Sequence, residues 1–455
     1  MVAKRLASLM IACALIAGCG GGGNSPSAPE GGEQPQVPAG DSVFPLRIES
    51  GKRYLIDASN TPFFIQGDAA WSLIARLTRE EARQYLDDRQ ALGFNTVLVN
   101  LIEHQFTDDP PKNAYGEGPF TCPGDFSTPN ERYFDHADFV LREARARGML
   151  VLLAPAYLGY EGGPEGWYAE MLRNGPERLE QYGRYAAQRL REHSNLIWVQ
   201  GGDFYPPEDR LFEAVAEGIV AGGSPLLHTY HGARNSSAFG LISPQPTWLR
   251  LNNIYTTDNN VISFALAEYD RSQAPFLLLE AEYEALRTDA LGVRREAYQG
   301  VLSGAAGHVI GHRDIWKFAP GWQNFLHTPA STSIIHLAEL MRLLQWPALA
   351  PDTSRKLIVG GRGSEEQEAA VSLSADRKLA VIYVPTRRDI VVDTGQLGAA
   401  SPFALHWFDP ATGQLTEVPG SPAASDMITL TPPIGSSTTD WVAILGDIPA
   451  TSGAG

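Results

Sequence analysis

Two carboxylates follow buried apolar runs of the chain, at positions where an active site could use them. Asp203 ends the run NLIWVQGGD, whose two glycines leave space beside the backbone. Glu280 is the first charge after Pro275-Phe-Leu-Leu-Leu, where a surface role is a poor explanation. Cleavage of a glycosidic bond needs such a pair, one carboxyl group to donate a proton and one to act as nucleophile or base. Simpler roles stay open, since Asp203 could cap a helix and Glu280 could pair with a buried Arg.

Further polar and aromatic side chains lie near the ends of the other apolar runs. Aromatic faces, amides and hydroxyl groups suit a neutral sugar, which offers C–H faces and many hydroxyls. The residues that we predict to bind substrate are Asp68, Trp71, Asn100, Tyr157, His231, Tyr255, Tyr283, His308 and Trp316.

The histidines raise the question of a metal. His228 and His231 are three residues apart, and His308 and His312 are four apart. Both pairs fall at strand ends, where this spacing does not bring two side chains to one helical face, and no Cys joins them. We therefore predict no metal site. We also predict no cofactor, because no Gly-rich phosphate loop follows any strand.

The elements that must position these residues alternate between short apolar runs and helical patterns. Clear helical periods cover 79–93, 177–194 and 330–344. Runs that are apolar at successive residues are typical of parallel strands buried on both faces. This alternation predicts a (β/α)8 barrel, a TIM barrel of the α/β class, with a doubly wound open sheet as the alternative. The runs are 63–67, 94–99, 149–155, 196–201, 225–230, 250–255, 275–279 and 307–311.

A second pattern begins near residue 346. Short segments such as KLAVIYV, DIVVD and WVAIL are separated by turn residues, and no helical period intervenes. We predict a barrel domain over 43–346, opened by a hairpin at 45–57, and a small antiparallel β-sandwich over 347–449. The sandwich has few clustered His, Asp or Glu residues, so we place no chemistry there.

The N-terminus indicates export. Lys4 and Arg5 precede an apolar stretch too short to span a bilayer, which ends in Ile16-Ala17-Gly18-Cys19. This pattern resembles a bacterial lipobox and predicts a signal peptide over 1–18 and lipid on Cys19, with a chance Cys as the alternative. The Gly- and Pro-rich residues 19–42 predict a flexible tether. We therefore expect a protein of the bacterial cell envelope, anchored by its lipid, in the outer membrane by resemblance.

The composition limits the classes of molecule that the protein is expected to bind. The formal net charge is −16 and becomes −18 without Lys4 and Arg5, which argues against nucleic acid. Of the three cysteines, Cys13 leaves with the signal peptide and Cys19 carries lipid, so Cys122 has no partner for a disulfide. We expect a monomer whose partners are a carbohydrate substrate and, through the lipid alone, a membrane.

At these residues the chain resembles the apiosidase-like catalytic domain of glycoside hydrolase family 140 and its relatives. The matching stretches include FFIQGDAAW, NLIWVQGGD, HTYHGARNSS, FLLLEAEYE and GAAGHVIGH, and the C-terminal part resembles the module that carries a collagen-binding label. The resemblance implies Asp203 as acid/base and Glu280 as nucleophile. The sequence departs from the family pattern at Ala281, often Pro, and at Ile254-Tyr-Thr-Thr, often Gln-Ser-Gly-His.

Three functions are compatible with these observations. The first is a retaining glycosidase that acts on side chains of plant or microbial polysaccharides. The second is a carbohydrate-binding surface lipoprotein without activity, which the presence of both carboxylates disfavours. The third is another barrel hydrolase, such as a metal-dependent deacetylase or amidohydrolase, which the missing metal-ligand set disfavours.

Overall fold

A barrel of eight parallel strands forms the centre of the protein, as the sequence predicts. The computed structural model describes residues 43–257, 259–398, 404–420, 427–434 and 439–449. The predicted signal peptide and tether, including Cys19, lie outside the described residues. The barrel strands are β1 (Ile65–Ala69), β2 (Thr96–Asn100), β3 (Leu150–Ala154), β4 (Leu196–Gly201), β5 (His228–His231), β6 (Asn252–Tyr255), β7 (Phe276–Glu280) and β8 (Gly307–Ile310).

Ladders of hydrogen bonds join most neighbouring strands of the barrel, and a backbone contact joins the remaining pair. Regular ladders run from β5 through β4, β3, β2 and β1 to β8, and then to β7 and β6. Between β5 and β6 the N–H of Leu251 donates to the carbonyl of His228 at 3.1 Å. A short strand at Ser236–Ser237 pairs antiparallel with the outer part of β6. The predicted N-terminal hairpin is present as Arg47–Ile48 paired with Leu55–Ile56, which in turn pairs with Pro62–Phe63.

Helices cover the outside of the barrel, and side-chain caps mark several of their starts. Thr78 and Glu81 form a capping box at the start of α2, and Asn130 and Asp289 cap α3 and α8. Within the part of the chain that the structure describes, no helix is long and apolar enough to cross a membrane. The helices are α1 (Leu73–Arg76), α2 (Arg79–Ala91), α3 (Glu131–Ala146), α4 (Tyr168–Arg189), α5 (Arg210–Ala221), α6 (Ala238–Leu241), α7 (Val261–Arg271), α8 (Ala290–Leu302), α9 (Pro329–Ser333) and α10 (Ile335–Leu343).

Alternation along the strands divides the core into two layers. Inward residues such as Leu98, Leu152 and Leu277 fill the barrel. Outward residues such as Val97 and Val99 pack against the helices. Because successive side chains of a strand point to opposite faces, this alternation decides which polar residues reach the barrel mouth.

An antiparallel β-sandwich follows the barrel, as predicted. One sheet has the order β9-β11-β12-β17-β14-β15 and the other β10-β13-β16. Only short 3-10 turns, at Glu365–Gln367 and Thr394–Gln396, interrupt the strands in the described part of this region. The strands are β9 (Leu349–Pro351), β10 (Ile358–Gly360), β11 (Ala370–Ser374), β12 (Ala380–Val384), β13 (Ile390–Asp393), β14 (Leu405–Phe408), β15 (Leu415–Glu417), β16 (Met427–Leu430) and β17 (Trp441–Leu445).

The sandwich packs on the barrel through α8. Arg294 of this helix forms a two-pronged ion pair with Asp440, with contacts of 2.9 and 3.1 Å, and both side chains are buried. Tyr383 donates to Asp440 at 3.1 Å, and its ring stacks on Tyr298 at 4.9 Å. Eleven of the thirteen residues of α8 are buried, so this helix has almost no face left for solvent.

Candidate active site

A cavity of about 440 Å³ lies at the carboxyl ends of the barrel strands. This is the end at which barrel enzymes place their active sites. Both candidate carboxylates line it, and so do most of the residues predicted to bind substrate. The predicted residues in its wall are Trp71, Asn100, Tyr157, Asp203, Tyr255, Glu280, Tyr283 and Trp316.

A strained turn presents Asp203 to this cavity. Gly201, Gly202 and Asp203 have φ values of 84°, 129° and 50°, in the region that favours glycine. A Cβ atom on Gly201 would lie 2.5 Å from the carbonyl oxygen of His231, and one on Gly202 would lie 2.2 Å from the Tyr157 ring. The two glycines therefore let the chain turn against its neighbours, and the strain falls on Asp203.

The carboxyl group of Asp203 is arranged to hold a proton. Its Oδ2 accepts a hydrogen bond from the hydroxyl of Tyr157 at 2.7 Å. Its Oδ1 is buried in the cavity wall and has no hydrogen-bond partner among the described residues. Burial and the negative charge of Glu280 raise the pKa of Asp203 above 3.8, although His231 and the hydroxyl groups of Tyr157 and Tyr255 act in the opposite direction. Asp203 can therefore act as an acid through Oδ1.

A β-bulge turns Glu280 into the cavity. Ile254 of β6 faces Leu278, whereas the next residue, Tyr255, faces Glu280, so Leu279 is an extra residue in β7. Leu279 already points into the barrel. Regular alternation would therefore have turned Glu280 toward the helices, and the bulge instead turns it inward.

Two donors hold the Glu280 carboxylate. The hydroxyl of Tyr283 donates to Oε1, and Nε2 of His231 lies 2.6 Å from Oε2. The indole N–H of Trp71 donates to the Tyr283 hydroxyl at 3.1 Å. Donors on both oxygens fix the direction of the carboxylate, as a nucleophile requires.

His231 lies behind the two carboxylates and contacts both of their segments. The backbone N–H of Asp203 donates to its Nδ1 at 2.8 Å, so the ring proton sits on Nε2 and points to Glu280. Burial lowers the pKa of His231, but the hydrogen bond and charge of Glu280 outweigh it and raise the pKa. A second ring proton would meet the N–H of Asp203, and this opposes the charged form.

These three residues are the candidates for a metal site in the described part of the chain. One ligand atom each from Asp203, His231 and Glu280 lie within 4.8 Å of one another. The spacing of the histidine pairs, on which the prediction of no metal rests, does not reveal this cluster. In the observed arrangement the Nε2 proton of His231 occupies the position from which the ring would bind a metal, so coordination would first have to displace the bond to Glu280.

Three of the predicted substrate-binding residues do not line the cavity: His231, which lies behind the carboxylates, and Asp68 and His308. Asp68 is buried beside α2, where Tyr85 donates to it at 2.8 Å and Arg89 lies 3.3 Å away. His308 lies 2.8 Å from the amide oxygen of Gln66 on the neighbouring strand. Both point outward between strand and helix, because alternation along β1 and β8 places them on the opposite face from the barrel interior.

Asn100 lies in the cavity wall with an amide oxygen that accepts no hydrogen bond from the described residues. Its amide nitrogen donates to Glu103 at 3.3 Å, whereas its Oδ1 has no partner among the described residues. Glu103 in turn accepts the N–H of His104 at 2.9 Å and the hydroxyl of Ser72 at 2.9 Å. This network fixes Asn100 with a free acceptor at the cavity wall.

Two further cavity residues, Arg234 and Phe106, belong to loops and are not among the predicted residues. Arg234 forms an ion pair with Glu282 and donates to the Tyr255 hydroxyl at 3.2 Å. Phe106 meets the predicted Trp316 edge to face at 4.6 Å. Arg234 could have been predicted from the sequence, because a charged residue stands there three positions after the end of a strand. Nothing in the apolar pattern marks Phe106.

The barrel and its paired carboxylates define the class of the protein, a glycoside hydrolase. Residues 49–348 match the family described as "Apiosidase-like, catalytic domain", and the chain belongs to this family. Residues 351–446 match the family described as "Putative collagen-binding domain of a collagenase". No curated protein gives a significant match to the sequence.

Solved structures share the fold over most of the chain. A glycoside hydrolase family 5 protein from Bacteroides vulgatus ATCC 8482 has a TM-score of 0.77 and 22% identity, over 88% of this chain and 93% of its own. Another structure, described as "Glycoside hydrolase", has a TM-score of 0.77 and 23% identity, over 89% of this chain and 97% of its own. At these identities the likeness concerns the fold.

Proposed function

We propose that this chain is a retaining glycoside hydrolase that acts on side chains of plant or microbial polysaccharides, with Asp203 as acid/base and Glu280 as nucleophile. One observation carries the proposal. A carboxylate oxygen of Asp203 and one of Glu280 lie within 4.8 Å across the cavity. Retaining enzymes hold their carboxyl groups about 5–5.5 Å apart, whereas inverting enzymes need about 6.5–9.5 Å to admit a water.

The geometry suits a two-step displacement. In the first step Glu280 attacks the anomeric carbon, and Asp203 gives its proton to the glycosidic oxygen as that bond breaks. In the second step Asp203, now ionised, takes a proton from water, which attacks the same carbon and releases Glu280. His231 and Tyr283 hold Glu280 in place in both steps, and Tyr157 does the same for Asp203.

Two residues of the cavity wall bear on whether the enzyme accepts apiose, the sugar after which its family is called, or another neutral sugar. Both departures from the family pattern line the cavity, because Ala281 and Tyr255 are part of its wall. Tyr255 also stacks on His231 at 5.1 Å, with an angle of 24° between the rings. A bulky ring at this position changes the shape of the site in which a family member would hold its sugar.

We further propose that the protein is exported, processed before Cys19 and held at the cell envelope by lipid on that residue. The support is the lipobox-like sequence and the Gly- and Pro-rich segment that follows it. A tether of this composition would let a monomeric barrel reach polysaccharide near the membrane. We also propose that the barrel domain ends at residue 346 and the sandwich domain begins at 347.

The deciding experiment combines a substrate screen with the stereochemistry of the product. The purified protein is incubated with pectic and hemicellulosic oligosaccharides, and proton NMR follows the first anomer released from each cleaved substrate. We expect the sugar that is released first to have the same anomeric configuration as in the substrate. Release of the opposite anomer would refute retention, and binding without cleavage of any substrate would favour the non-catalytic alternative.

Glu280→Gln provides the matching variant. It keeps the shape of the side chain and removes the nucleophile, so activity should collapse while the melting temperature stays near that of the parent. Glu177→Gln, on the exposed face of α4, is the control and should remain fully active. Substantial activity in Glu280→Gln would remove Glu280 from the nucleophile role.

A further inference from the structure

We infer that Tyr160 forms the subsite for the leaving-group sugar, the part of the substrate that departs on the glycosidic oxygen. The inference rests on the proposed function and adds a residue that selects the substrate. Tyr160 lines the cavity that holds both carboxylates, and 50% of the residue is exposed. A large aromatic side chain left half-exposed at the mouth of a cavity is a surface on which a sugar ring can stack.

The Tyr160 segment adjoins the turn that carries the acid. The N–H of Glu161 donates to the carbonyl oxygen of Asp203 at 3.3 Å. A Cβ atom added to Gly162 would lie 2.9 Å from the ring of Phe204, the residue after Asp203. The acid protonates the oxygen of the leaving group, so the leaving group must lie on this side of the cavity.

A different set of contacts surrounds the nucleophile. Glu280 receives its donors from Tyr283 and His231, and Trp71 supports Tyr283. These residues surround the atom that attacks the anomeric carbon, so the sugar that becomes attached to the enzyme lies among them. Tyr160 has no place in that network and borders the other half of the substrate.

The loop that presents Tyr160 is closed upon itself. The backbone N–H of Tyr160 donates to the Glu165 side chain at 2.7 Å. A Cβ atom on Gly166 would lie 2.1 Å from the backbone nitrogen of Gly159, so the two ends of the loop touch. Glu161 is held at a φ of 54°, which only a well-determined loop would retain. Because the backbone of the loop is positioned in advance, a bound sugar loses little entropy in ordering the loop.

The test compares substrates that fill this subsite with substrates that leave it empty. The probes are the pectic oligosaccharides that the protein cleaves, and the glycosyl fluoride of the sugar released from them, whose leaving group is one atom. Tyr160→Ala should lower kcat/KM on the oligosaccharides about tenfold and leave the fluoride unchanged. Tyr160→Phe, which keeps the ring, should behave as the parent on both.

Tyr115 offers a matched control, because it is 49% exposed and does not line the cavity. Tyr115→Ala should change neither activity. An equal loss on both probes in Tyr160→Ala, or a loss on neither, would overturn the subsite while the proposed function stands. A parent protein that cleaves none of the oligosaccharides would overturn the proposed function and the subsite with it.

Discussion

The backbone N–H of Asp203 donates to Nδ1 of His231 over 2.8 Å, and the other ring nitrogen lies 2.6 Å from Glu280. One neutral imidazole thus joins the turn of the candidate acid to the candidate nucleophile. The turn is strained at Asp203, so a specific contact is needed to hold it. The position of the acid and the direction of the nucleophile therefore depend on the same side chain.

His231→Ala should affect the enzyme through both carboxylates. We expect kcat to fall about 10²–10³-fold, which is typical when one preorganised hydrogen-bond donor is removed from a site of this kind. The pH dependence of the remaining activity should also shift, because the ring holds both the turn of Asp203 and the Glu280 carboxylate, whose charge raises the pKa of Asp203. Steady-state kinetics across pH measure both effects. His327→Ala, at an exposed histidine, is the control, and equal losses in the two variants would contradict this role.

Asp203→Asn should separate substrates by their leaving groups. Without a proton donor, substrates with poor leaving groups should lose activity strongly, whereas activated aryl glycosides need little protonation and should lose less. Parallel kcat/KM measurements on an oligosaccharide and on an aryl glycoside of the same sugar test this. A uniform loss on the two substrates would speak against Asp203 as the acid/base.

The raised pKa of Asp203 fixes the direction of the pH dependence. The acid form is needed for the first step, so activity should fall as pH rises through the pKa of this residue, which lies above its ordinary value of 3.8. Glycosyl fluorides require no protonated leaving group, so their first step should escape this loss. Measurement of kcat/KM against pH for both substrate types checks it. Identical alkaline limbs would count against the assignment.

The raised pKa of Asp203 also predicts that its ionised carboxylate lowers the stability of the fold at neutral pH. A carboxyl group with a raised pKa in the folded state stabilises the fold below its unfolded pKa, and this contribution is lost as pH rises through the folded value. Asp203→Asn removes the charge, and Asn tolerates the φ of 50° well. Its melting temperature at pH 7 should exceed that of the parent by roughly 1–3 °C, with the difference shrinking at acid pH. A lower melting temperature at pH 7 would refute the prediction.

The sequence predicted the strands and the paired carboxylates, because buried parallel strands and their ends leave a strong apolar pattern. It failed where a single residue decides the direction of a side chain. Asp68 and His308 stand near strand ends but point outward, whereas the bulge at Leu279 turns Glu280 inward. The spacing of apolar residues along a strand and the composition of the strand do not reveal a bulge. The position of Tyr160 depends on how its loop folds against Asp203, which the apolar pattern does not encode.

The contact between barrel and sandwich leads to a last prediction, which concerns stability. Arg294 and Asp440 are both buried, so Asp440→Ala would leave the guanidinium without its charge partner inside the protein. Loss of one partner of a buried ion pair costs about 3–5 kcal/mol in the free energy of unfolding. Denaturant unfolding should show this loss. Asp376→Ala, which removes an exposed ion pair with Lys378 in the same sandwich, should lower the stability far less.

The position of the pair makes this prediction informative about the whole chain. Arg294 belongs to a barrel helix with almost no exposed face, and Tyr298 of that helix stacks on Tyr383 of the sandwich. Loss of Asp440 should therefore lower the stability of the barrel together with that of the sandwich, in one cooperative transition. Enzyme activity and the native fluorescence of the sandwich tryptophans should be lost at the same denaturant concentration. A separate, unshifted transition for loss of activity would mean that the barrel does not depend on the sandwich.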